Sequence, residues 1–192
     1  MSTALVVRIV FWLWFIAAAL AGQQRLLQRL PPLAIPGIVF GLTAFLTYAY
    51  FRFAAVRQWV DALDLRALLL VHITRFVGVY FLVLYRRGEL PYAFAVPGGY
   101  GDILVAVLAL LVIFVPMDAA RRTRAITIWN VIGLTDILLV AGTAVRLNLA
   151  NPFQMRAMTY LPLSLLPTFL VPLIIATHII IFARLARTAR ED

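Results

Sequence analysis

An all-α protein that crosses a membrane about six times is what this chain predicts, and three observations predict it. Of its 192 residues, 64% are hydrophobic and only 13% are charged. The apolar residues gather in windows of about 20, the length that spans the hydrocarbon core of a bilayer. The basic residues, all of them arginine, stand mostly where an apolar run ends, as the positive-inside rule expects of loop residues. The spacing places spans at about 5–21, 35–53, 67–85, 101–115, 125–147 and 160–182, in one transmembrane domain over 1–192.

Composition also removes whole classes of function. The net charge of +9 suggests a nucleic-acid partner only if the arginines form one stripe. Spread over the span ends, they read instead as topology signals and lipid head-group contacts. The chain has no cysteine, which excludes disulfides, thiolate metal sites, iron–sulfur clusters and thiol catalysis. It has no Walker loop, HExxH, GxSxG or dinucleotide fingerprint, so a non-enzymatic role is expected.

The first apolar run, with Trp12 and Trp14 facing lipid or a neighbour, is either a first span from about Leu5 to Ala21 or a signal peptide with a small-residue site at Ala19 and Ala21. A span is the reading taken, because the rest of the chain is itself polytopic. A polar connection then closes on Pro31 and Pro32. In the second span Gly37 and Gly41 form a GxxxG step that brings two helix backbones together, as internal packing or as the face of a homodimer. Internal packing is expected.

Residues Arg52 to Arg66 carry charges on an amphiphilic pattern and predict a short interfacial helix before the third span. That span stops at Arg86, Arg87 and Gly88. The connection from Glu89 to Asp102 is apolar but broken by Pro91, Pro97, Gly98, Gly99 and Gly101. Such a segment is tolerated at membrane depth only under protein cover or beside a water-filled cavity, so it predicts a re-entrant or lid-like loop. Pro116 ends the fourth span, and Asp118 and three arginines open the fifth. In the sixth, Pro167 and Pro172 each free a carbonyl about one turn earlier.

Six spans put both termini on one side. Ten arginines fall on that side, including Arg184, Arg187 and Arg190, and six on the other, with Arg75 inside a span. The bias predicts a multi-pass protein of a bacterial-type inner membrane with both termini in the cytoplasm.

Within this apolar chain a few polar residues lie deep. At about 1.5 Å per residue, His72 lies about 8 Å into its span, Arg75 about 12 Å, Asp136 about 16 Å and His178 about 9 Å, all counted from the same face. A lone charge in hydrocarbon costs at least a few kcal/mol, so Arg75 and Asp136 are expected to pair. His72 and Arg75 share one side of their helix, and Trp129, Gly133, Asp136 and Val140 one side of theirs. Asp102 is expected near the opposite face as an outer gate. Asn130 and Arg146 mark the ends of the fifth span, and Trp59, Tyr92 and Trp129 are expected as aromatic anchors at the interfaces.

The stretch Gly99-Tyr100-Gly101-Asp102 resembles the GxGD motif of the intramembrane aspartyl proteases related to presenilin. The resemblance implies a carboxylate dyad of Asp102 with an aspartate of a neighbouring span, here Asp136. It covers four residues and departs from the family: Asp136 follows the motif, after Thr135, instead of preceding it in a Tyr-Asp pair, and no Pro-Ala-Leu sequence occurs.

The expected function is binding or movement of a small solute or protons at a site built on His72, Arg75, Asp102, Asn130, Asp136 and His178. A second expectation is a small membrane cytochrome that exchanges electrons with a quinone, with haem b held between His72 and His178. A third is an accessory subunit of a larger membrane complex, whose ion pair only orders helices.

Overall fold

A computed structural model describes the backbone from Ser2 to Glu191 and the side chains through Arg187, so the expectation for Arg190 lies outside the described residues. All regular structure among them is helical. Eight α-helices run in order: α1 (Thr3–Gln23), α2 (Ala34–Arg52), α3 (Ala54–Asp61), α4 (Leu65–Val71), α5 (Val77–Arg86), α6 (Tyr92–Phe114), α7 (Ala119–Ala150) and α8 (Val171–Glu191). A 3-10 turn, His72–Phe76, joins α4 to α5 into one stretch of 22 residues, Leu65–Arg86. Among the described residues, six helical stretches are long and apolar enough to cross a membrane.

The expected loop from Glu89 to Asp102 is the largest correction. Only the short turn after Arg86 is irregular, and α6 begins at Tyr92 with Pro91 as its N-cap and runs through Pro97 and the three glycines. Each glycine costs about 1 kcal/mol in a water-exposed helix. In an apolar setting the backbone has no water to bond to and stays helical, and glycine's missing side chain becomes a packing surface. The turn itself is a Schellman motif. Gly88 has φ +73°, its N–H donates to Tyr85 O, and Glu89 N–H donates to Leu84 O, both at 2.9 Å.

The chain's contacts divide it into two compact units. The first holds residues up to Leu63 together with Val145–Ala176. In it Phe169 packs against Phe11, Trp14 and Phe15 of α1, with ring centroids 5.1, 4.5 and 5.3 Å away. Phe169 belongs to a π-helical turn, Leu166–Leu170, just before α8. From α1, Trp14 Nε1 donates to the carbonyl of Thr168 in this turn at 2.8 Å. Trp14 is therefore a packed donor, while Trp12 is exposed. The short amphiphilic helix is α3, tied to α2 by the Tyr50 hydroxyl, which donates to Asp61 Oδ1 at 2.8 Å.

Within the first unit, among the described residues, the GxxxG step meets no neighbouring helix. A Cβ placed on Gly37 or Gly41 meets no described atom within 4 Å, so the internal packing expected there is absent.

The second unit comprises Asp64–Ala144 and the chain from Thr177 onward. Its core is the contact of α5 with α6, which cross so closely at Gly78 and Gly99 that a Cβ on Gly99 would lie 2.8 Å from Gly78 O. Small residues let helix backbones approach in this way. The Trp129 side of α7 closes over them, with its indole Nε1 donating to Val105 O of α6 at 3.0 Å.

Candidate functional site

The second unit buries a group of charged and polar residues in its centre. Arg75, His72, His178 and Asn130 are all at most 1% exposed. Arg75 and His72 sit three residues apart in one 3-10 turn, and three residues per turn stack them along the same edge.

The Arg75 guanidinium is held by three partners. Its Nε donates to Asp102 Oδ1 at 2.7 Å, Nη1 donates to Gly133 O at 3.0 Å, and Nη2 donates to Asp136 Oδ2. The planar fork thus takes one carboxylate from α6 and one from α7, with a backbone carbonyl on the remaining nitrogen. The Asp102 side chain is 4% exposed and that of Asp136 is 20% exposed, so the second carboxylate faces outward. With both carboxylates ionised the cluster carries a charge of −1, and with one proton bound it is neutral.

Asp102 is therefore not set apart from Arg75, as the residue count implied. It is bound to Arg75 directly, beside the Asp136 that the sequence pairs with it. Residue counting misplaces it because the count begins at Gly101, more than two turns inside the real helix. A signal was present: a guanidinium has five donors, and one carboxylate leaves most of them unmet in an apolar core. The shared-proton dyad implied by the GxGD resemblance is not the arrangement either, since both carboxylates are engaged with the guanidinium.

One helical turn from Gly133 lies a second group. The His72 and His178 rings are in contact, 4.3 Å between centroids. Trp129 packs on both, its ring 4.7 Å from His72 and 5.3 Å from His178. Trp129 is thus a buried core ring and not an interfacial anchor, because its indole N–H has the carbonyl it needs. Tyr92, in contrast, is exposed at the start of α6.

Asn130 orders His178. Its Nδ2 donates to the His178 carbonyl at 3.0 Å, which turns its Oδ1 toward His178 Nδ1 at 2.7 Å. The imidazole N–H of His178 therefore lies on Nδ1, and Nε2 is the position open to a further proton. Nε2 of His178 is buried without a hydrogen-bond partner, as is Nδ1 of His72. His72 Nε2 bonds the Thr177 hydroxyl at 3.1 Å. Neither Thr177 nor the Gly133 carbonyl was indicated by the sequence, since both roles depend on which helices meet. Arg146 lies toward the end of α7, outside this cluster, and takes no part.

A haem iron between two histidines stands about 2 Å from a nitrogen of each, with the porphyrin plane between the rings. Rings in contact at 4.3 Å leave no slot for that plane. The site as it stands does not fit haem. Among the described residues there is also no group of three or more histidine and acidic side chains able to hold a metal ion.

A family model described as a domain of unknown function (DUF8737) matches residues 32–186. No curated protein and no solved structure matches the chain.

Proposed function

The chain belongs to that DUF8737 family, and we propose that it is a multi-pass inner-membrane protein with both termini in the cytoplasm, binding and passing protons, alone or with a small solute, at the Arg75 cluster. The observation that carries this reading is one guanidinium shared by Asp102 and Asp136. A single cation between two carboxylates has a place for one proton without exceeding neutrality. The partly exposed Asp136 is the group that exchanges this proton with a cavity or the other face, while Asp102 holds Arg75 in position.

The inside-out distribution of side chains supports the bilayer setting. Phe114 and Leu139 are exposed at 71% and 67%, whereas Arg75, Asp102, His72 and His178 are buried. In lipid, ionisable residues face the interior and pair there, and such sites mark ion and proton pathways. The His72 and His178 pair extends the polar interior beyond Gly133 with two more unpartnered ring nitrogens.

The test is proton flux into liposomes carrying the purified chain, driven by an imposed potential and read by an internal pH-sensitive dye. The wild-type chain should pass protons above protein-free liposomes. Asp136→Asn should lower that flux at least tenfold with unchanged helix content. Equal flux in both, or no flux from the wild type, overturns the proposal.

A further inference from the structure

A second polar feature lies in the first unit, with no part in the Arg75 cluster. Where the 3-10 turn Leu26–Arg29 meets Pro152–Thr159, a cleft of about 360 Å³ opens. That volume falls in the range of small-ligand sites. Leu30, Pro32, Ile35 and Phe153 make an apolar wall, and Gln28 and Arg156 stand among the polar lining.

The polar side is rich in donors. Gln28 Nε2 is shut off from solvent and has no hydrogen-bond partner. The guanidiniums of Arg25 and Arg156 lie 5.7 and 5.8 Å from the centroid of one ring, that of Tyr160. Both cations thus contact the same aromatic ring. Arg25 reaches it from left-handed backbone, φ +56°, a conformation that is costly for a residue with a Cβ.

No carboxylate answers this charge. The first unit has seven arginines and one acidic side chain, Asp61. Asp61 accepts the Tyr50 hydroxyl, near the end of α2 away from the cleft. Among the described residues Arg25, Arg29 and Arg156 form no ion pair. A cleft that joins an arginine without a carboxylate partner to an apolar wall is complementary to an anion that carries a hydrocarbon part.

We propose that this cleft binds the headgroup phosphate of an anionic phospholipid. Arg156 donates to the phosphate oxygens beside Gln28, Arg25 adds its charge, and the glycerol and first methylenes lie along Leu30, Ile35 and Phe153. The apolar wall favours a lipid over free phosphate. The inference rests on the reading that the helices lie in a bilayer, and it is independent of proton passage.

The test is native mass spectrometry of the full chain in detergent, titrated with phosphatidylglycerol, with neutral diacylglycerol and with inorganic phosphate. One phosphatidylglycerol per chain should be retained, diacylglycerol should not, and equimolar inorganic phosphate should not displace the lipid. Arg156→Ala should weaken retention about tenfold. Gln28→Glu, nearly isosteric, should weaken it at least as much by setting a carboxylate against the phosphate. Arg8→Ala, which removes an equal charge from α1, should leave it unchanged. Retention of diacylglycerol equal to that of phosphatidylglycerol, displacement by inorganic phosphate, or wild-type retention by both cleft variants overturns the proposal. Flux through Asp136 is read separately, so failure of one reading does not imply failure of the other.

Discussion

Asp136 sits in the space that a side chain on Gly101 would occupy. A Cβ built at residue 101 overlaps Asp136 Oδ1 and lies 2.8 Å from its Cγ. The carboxylate reaches Arg75 across α6 only because that helix is bare at this point.

Gly101→Ala should therefore push Asp136 away from Arg75 while leaving every ionisable group in place. Forced overpacking of this kind costs about 1–3 kcal/mol. Proton flux in liposomes should fall nearly as far as in Asp136→Asn. Flux at the wild-type level in a folded Gly101→Ala chain shows that the seat of Asp136 is not needed.

Arg75 should tolerate no conservative exchange. Lysine keeps the charge but loses the planar fork that reaches Asp102, Gly133 O and Asp136 together. Removing one partner of a buried ion pair costs about 3–5 kcal/mol, since the other is left buried and unpaired. Arg75→Met should lower the denaturation midpoint in detergent strongly, and adding Asp102→Asn and Asp136→Asn should recover much of the loss. A triple variant no more stable than Arg75→Met rules out the charge argument.

Asn130→Leu should release His178. The substitution removes the acceptor on Nδ1 and the donor to the His178 carbonyl, and leaves buried groups unsatisfied at about 1–3 kcal/mol. Imidazole ¹⁵N spectra should show an Nδ1–H tautomer for His178 in the wild type and a changed tautomer mixture in the variant. An Nε2–H tautomer in the wild type contradicts the assigned hydrogen bond.

Trp14→Phe should cost about 1 kcal/mol, the net value of a typical hydrogen bond, while keeping a ring against Phe169. The loss is read by thermal denaturation, and a Trp14→Phe chain as stable as the wild type shows that the indole N–H to the Thr168 carbonyl carries no weight in the fold.

How far the chain can be read in advance depends on the range of each interaction. The six apolar stretches, the short amphiphilic helix before the third and the buried polar residues are legible, because length, hydropathy and the cost of a charge in hydrocarbon are properties of a local segment. The run from Pro91 to Asp102 misleads, because proline and glycine break helices where nothing else holds the backbone, and here Gly99 packs against Gly78 of the neighbouring helix. Gly37 and Gly41 mislead in the opposite direction: a motif for close packing is present, but no described helix approaches it.

By itself the sequence determined the all-helical class, the six stretches long and apolar enough to cross a membrane and the set of ionisable residues that need partners. Only the tertiary structure decided the pairings: Arg75 with both Asp102 and Asp136, His72 against His178 and Trp129, and Trp14 on the Thr168 carbonyl. The reason is physical. Burial and span length are fixed by composition over some 20 residues. A hydrogen bond or ring contact between helices is fixed within a few tenths of an ångström by where side chains are absent. In this chain those places are Gly78, Gly99, Gly101 and Gly133.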